Sequence, residues 1–195
     1  MKTFFRLILI IPISIILGIL LRSGETVIKT ITASGAGELT RHTSGGILAS
    51  LFIVTALMII SRQRYPRWWF DFARELIRFA TRVSAYLLLL TDQYPSTVDE
   101  QSVHLEIDYP DAEKDLDQYL PLFKWLLAIP HYFALFCLGI AAFFAVITAW
   151  FIILRTGRYP MELFYFVVGV IRWGLRVYAY AFLLVTDEYP PFRLN

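Results

Sequence analysis

The chain writes one pattern twice. In its second half Arg158-Tyr159-Pro160 leads to Phe164 and Phe166, then Arg172 and Arg176, then Ala179-Tyr180, then Thr186-Asp187-Glu188-Tyr189-Pro190. In its first half Arg64-Tyr65-Pro66 leads to Phe70 and Phe72, then Arg78 and Arg82, then Ala85-Tyr86, then Thr91-Asp92-Gln93-Tyr94-Pro95. The offset between copies is constant up to the tyrosine of Ala-Tyr. One extra residue then enters the second copy before Thr-Asp. An apolar segment precedes each copy. A chain of this kind is expected to use one structural unit in tandem, as repeat-built membrane proteins do.

The apolar segments set the solvent. Of 195 residues, 57% are hydrophobic and 17% charged, against about half and about a quarter in soluble domains. The excess lies in long runs, which points to a bilayer. A net charge of +2 gives no footprint for nucleic acid. The single Cys137 excludes a disulfide framework or a CxxC site.

Residues 4–21 read as a retained membrane segment rather than a cleaved leader, because bulky Leu20-Leu21-Arg22 replaces a small-residue cleavage site. Residues 22–44 read as a polar loop with a weak strand at Val27, Ile28 and Ile31 and a turn at Ser34-Gly35-Ala36-Gly37. Residues 45–60 are apolar and stop at Arg62-Gln63-Arg64. Cations beside a span mark the cytoplasmic side, so these two apolar segments form an expected hairpin with its polar loop outside. Residues 68–90 carry Asp71, Glu75, Arg78 and Arg82 as one polar stripe. Centring those charges in a bilayer costs about 2.5 to 3.5 kcal/mol each, so an interfacial helix is expected; a span with paired arginines is the alternative. Residues 163–185 repeat the element with fewer charges and are apolar enough to span.

Residues 96–118 form an acidic linker. Val103, Leu105, Ile107 and Tyr109 alternate with polar residues up to Pro110, which predicts a short strand over 103–109. One strand needs a partner: the tail Pro191-Phe192-Arg193-Leu194, or another subunit. Residues 120–154 are the second long apolar run. As one helix they would measure about 50 Å, well beyond the roughly 30 Å hydrocarbon core. Aligning Ile11-Pro12 with Ile129-Pro130 and Gly45 with Gly139 makes this run a hairpin turning near Leu138-Gly139-Ile140. The competing reading is a short interfacial helix, an elbow at Pro130 and one span from His131 to Leu154.

Ala128-Ile129-Pro130-His131-Tyr132, Thr156-Gly157-Arg158-Tyr159-Pro160, the Arg172-Trp173-x-x-Arg176-Val177 stretch and Thr186-Asp187-Glu188-Tyr189-Pro190-Pro191-Phe192 resemble a family of bacterial integral membrane proteins catalogued as a domain of unknown function. The resemblance implies tandem units, a segment like His104–Pro110 between them, and a bacterial membrane location. It brings no reaction and no catalytic residue. The first copy departs from the pattern, with Arg62-Gln63-Arg64 for Thr-Gly-Arg and Ile13 for His131.

The expected fold is therefore an all-α membrane protein of two tandem repeats, 1–95 and 119–195, joined by the acidic linker. Each repeat is a transmembrane hairpin plus an amphipathic interfacial helix, with short extended or β segments in the linker and the tail. Arg78, Arg82, Arg172 and Arg176 share one helix face; they are candidates for holding anionic lipid headgroups or for an ion-pair clamp with Asp92 and Asp187. Tyr65-Pro66, Tyr94-Pro95, Tyr159-Pro160 and Tyr189-Pro190 are helix punctuation at the interface, and His131 is a structural hydrogen bonder. No catalytic, cofactor or metal residue is expected. The residues point to a non-enzymatic scaffold or interaction module in the bacterial inner membrane. Its termini would be cytoplasmic, and lipids and a homo-oligomer or membrane protein its partners. A small transporter or channel subunit and a lipid-modifying enzyme are the alternatives.

Overall fold

A computed structural model describes residues 25–31, 37–43, 47–96 and 101–194. The segment expected over 4–21 lies outside them. In the polar stretch that follows, strands β1 (Glu25–Ile31) and β2 (Gly37–Thr43) pair antiparallel with Glu25 opposite Thr43 and Ile31 opposite Gly37. Helices make up the rest of the regular structure among the described residues: α1 (Ile47–Arg62), α2 (Arg67–Leu87), α3 (Pro121–Leu127), α4 (Ile129–Thr156) and α5 (Met161–Tyr178). A π-helical turn, Ala179–Leu183, continues α5.

The two copies enter their helices alike. Proline has a fixed φ and no N–H to give, so it separates one helix from the next. Pro66 precedes α2 at φ −59°, ψ 131° and Pro160 precedes α5 at φ −62°, ψ 125°. Each proline carbonyl accepts the N–H of the phenylalanine four residues on, Phe70 and Phe164, both at 3.0 Å. The tyrosine before each proline sets its ring edge-on to that phenylalanine, at 5.6 Å for Tyr65–Phe70 and 5.7 Å for Tyr159–Phe164.

They leave their helices alike too, apart from the extra residue. α2 closes through Leu90 N–H to the Ala85 carbonyl at 2.9 Å, with Leu89 at φ 63°. The second copy closes through Val185 N–H to the Ala179 carbonyl at 3.2 Å, with Leu184 at φ 59°. That ring holds one more residue, and the π turn takes it up, because its i→i+5 bonds widen the helix. Leucine at positive φ is strained, so both helix ends are held by what surrounds them. Leu184 is fully buried.

One side of α2 is buried through Phe70, Ala73, Ile77, Thr81, Val83, Ala85 and Tyr86. Its exposed side carries Asp71–Arg74 and Glu75–Arg78 ion pairs at 3.1 and 2.8 Å, at the i,i+3 spacing that favours them. Phe70 and Tyr65 join Ala56 and Ile59 of α1, Ala112 and Leu116 of the linker, and Leu184 in one apolar core. A second core joins Ala128 to Trp173, Val177, Tyr180 and Ala181, with Leu135 and Leu138 against it. The start of α4 thus meets the end of α5, although the loop at residues 157–160 joins their opposite ends. The two helices are antiparallel.

Two expectations are corrected. Residues 120–154 do not turn at Leu138-Gly139-Ile140: a short α3, an elbow at Ala128 and one continuous α4 of 28 residues take their place. A Cβ built at Gly139 meets nothing within 4 Å, so this glycine sits on an open helix face. Mid-helix glycine costs only about 1 kcal/mol, whereas a turn among apolar residues would strand backbone polar groups. The turn comes where the sequence changes, at Gly157, which has φ 72°. Residues 103–109 form no strand. Val103, Leu105 and Ile107 are half-buried and Ser102, His104, Glu106 and Asp108 exposed, so the alternation holds without a ladder as far as Asp108, while Tyr109, expected inward, is exposed. The Arg78 guanidinium takes a strand partner's place, donating to the Leu105 carbonyl at 3.0 and 3.3 Å. The tail packs instead on α5, with Leu194 against Gly169.

Candidate functional site

Polar groups gather where α3, the base of α4 and the end of α5 meet. Lys124 is fully buried. Its Nζ lies 2.6 Å from Asp187 Oδ1, donates to the Thr186 carbonyl at 2.7 Å, and stands 5.4 Å from the centre of the Tyr180 ring. Asp187 Oδ2 accepts the Asp117 N–H at 2.6 Å. Burial pulls the Lys124 ammonium below its ordinary range, and the carboxylates of Asp187 and Asp117 oppose that pull. Sequence reading assigned Asp187 to the arginines and missed Lys124. The position of Lys124 in an otherwise apolar run was the available signal, since a cation there needs a partner.

His131 is fully buried beside this pair. Its Nδ1 accepts the Trp173 indole N–H at 3.1 Å, so Nδ1 carries no proton. Phe192 of the tail stacks on the imidazole with ring centres 3.9 Å apart, and Tyr189 lies at 4.8 Å. Tyr189 also donates to the Leu127 carbonyl at 3.3 Å, and Pro190 is buried. The last motif therefore seats the tail on His131 as well as ending the helix. In the first copy Tyr94 stacks edge-on to Tyr86 at 5.9 Å, and Pro95 is buried. Tyr65 reaches across the molecule, its hydroxyl donating to the Leu183 carbonyl at 3.1 Å.

The four arginines of the shared face divide their tasks. Arg82 donates to the Ser96 carbonyl at 2.7 Å, and Arg176 donates to the Arg193 carbonyl. Each thus holds the chain just after its own copy's Tyr-Pro. Arg78 holds the linker. Arg172, its counterpart, is exposed, as is Asp92. Between α2, the linker and α5 lies a cavity of about 370 Å³ lined by Ile77, Leu105, Glu106, Ile107, Leu175, Leu183, Arg172 and Arg176. A neighbouring cavity of about 340 Å³ shares Leu105, Arg172 and Leu175 and reaches Phe164 and Val168. Both volumes suit small amphiphilic molecules. Among the described residues, no group of three or more His, Cys, Asp or Glu side chains could hold a metal ion.

The described residues are mainly helical, and two helices among them, Ile129–Thr156 and Met161–Leu183, are long and apolar enough to cross a membrane. It belongs to the family described as domain of unknown function DUF4389, which matches residues 41–98 and 121–193. Each matched stretch contains one copy of the repeated pattern. No curated protein and no solved structure matches the chain.

Proposed function

We propose that this chain is an inner-membrane scaffold of duplicated design, with no reaction of its own. In this reading α4 crosses the bilayer once, α5 returns beside it, and the arginine-bearing end of α5, where Arg172 is exposed, meets anionic lipid headgroups at the cytoplasmic surface. One observation carries the membrane part. Along 28 residues of α4 only His131, Ala142 and Ala149 are buried, while Phe133, Phe136 and Phe143 are 73%, 67% and 62% exposed. A helix apolar on every side and covered by little protein needs lipid around it. Its length, about 42 Å, spans the hydrocarbon core with some tilt. Arg62, Arg64, Arg67 and Lys124 gather at one end, against Arg155 and Arg158 at the other, which favours a cytoplasmic body.

Single cysteines at Glu113 and Arg158, in a Cys137→Ser background, test the crossing. Only the cysteine at position 158 should react with an impermeant maleimide added to intact cells. Labelling of both, or of position 113 instead, would overturn the topology. A second reading, a small transporter or channel subunit, draws on the cavities that Arg172 lines. Solute flux in proteoliposomes that Arg172→Ala abolishes would put that reading first.

A further inference from the structure

We infer that the trough between α2, the linker and α5 is a site for one anionic phospholipid, with its phosphate on Arg172 and an acyl chain along Ile77, Leu105, Leu175 and Leu183. The inference deepens the membrane reading and rests on it. Four observations point to this occupant. The walls are mostly hydrocarbon and include two arginines, so the site is amphiphilic in the sense a phospholipid is. Arg172 borders both neighbouring cavities, as a headgroup anchor between two chain paths would. Arg172 is exposed, whereas its counterpart Arg78 is occupied by the Leu105 carbonyl, an oxygen acceptor in the position a phosphate oxygen would take. Arg172 and Arg176 both line the trough, and Glu106 is the one carboxylate among the described residues lining either cavity. The balance is positive, which selects a net anionic headgroup over a zwitterionic one.

The depth also fits. Arg172 and Arg176 lie in the last two turns of α5, level with Trp173 and the base of α4. In the proposed topology that is headgroup height, where tryptophan and arginine concentrate.

The test is native mass spectrometry of protein released from nanodiscs of equal phosphatidylglycerol and phosphatidylethanolamine. Wild type should retain phosphatidylglycerol well above the bulk ratio, about one per chain. Arg172→Ala should cut that enrichment about tenfold, the loss expected for one charge-assisted hydrogen bond. Leu175→Trp, which fills the trough and keeps every cation, should cut it as well. Arg155→Ala, at the far end of α4, should leave it unchanged. Retention at the bulk ratio by wild type, or enrichment as high as wild type in Arg172→Ala or in Leu175→Trp, would overturn the site. Carbonate extraction of the native membranes separates the two levels. Protein that stays in the pellet but shows no lipid preference sinks the site alone, and protein that washes out sinks the membrane reading with it.

Discussion

Tyr65 shows how one residue of the repeated pattern acquires a task its twin lacks. Burial, its first cause, pushes the Tyr65 phenol up from 10.0 to about 12. The folded chain therefore keeps this proton at pH values where the unfolded chain gives it up. The sign follows from linkage: the contribution is whole below pH 10 and is lost as pH rises from 10 toward 12, up to roughly 3 kcal/mol. Lys124, held below its ordinary range, works in the opposite sense, so the comparison must isolate the tyrosine. Tyr65→Phe should cost about 1 kcal/mol at pH 8, through the unpaired Leu183 carbonyl. It should also flatten the fall in stability between pH 10 and 12. Denaturant unfolding in detergent at a series of pH values checks this, and parallel curves for the two proteins would remove Tyr65 from the alkaline response. The Tyr-Pro dipeptide was legible as punctuation, because proline's constraint is local. The bond to Leu183 was not, since nothing in a sequence reports a contact 118 residues distant.

At the level of elements, the repeated pattern was readable down to the single residue. The extra position before Thr186 had no meaning as text, and in the fold it is the π turn. The hairpin over residues 120–154 misread the same evidence. Alignment with the first copy suggested a deleted loop, but helix continuation is the better solution when no polar residue offers a turn. Position 169 tests how the tail is seated. A Cβ on Gly169 would stand 2.9 Å from the Leu194 carbonyl oxygen and 3.0 Å from its Cβ. Replacing glycine by alanine inside a helix gains about 1 kcal/mol, while overpacking costs about 1 to 3 kcal/mol. The helix is the stiffer partner, so the tail yields. In Gly169→Ala, α5 should melt no lower than in wild type, while trypsin should cleave after Arg193 several-fold faster. Equal cleavage, followed by mass spectrometry of the C-terminus, would mean the tail is not seated there.

For the molecule as a whole, pattern and period revealed which segments are helices, but the core that joins the halves mixes residues from both copies. Ile59 and Phe70 come from the first, Leu116 from the linker and Leu184 from the second. Their burial is worth on the order of 1.5 to 3 kcal/mol per large side chain, and none of it is complete without the last turn of the chain. During synthesis, then, the first copy must wait. A ribosome releasing residues 1–118 delivers helices whose shared core still lacks Leu184. Cells making 1–118 alone should clear it within minutes, while co-expressed 119–195 should rescue it and co-purify with it. A long-lived 1–118 would mean the halves mature separately. On this account the two halves are no longer separable, and a split chain would be discarded before either part could be put to use alone.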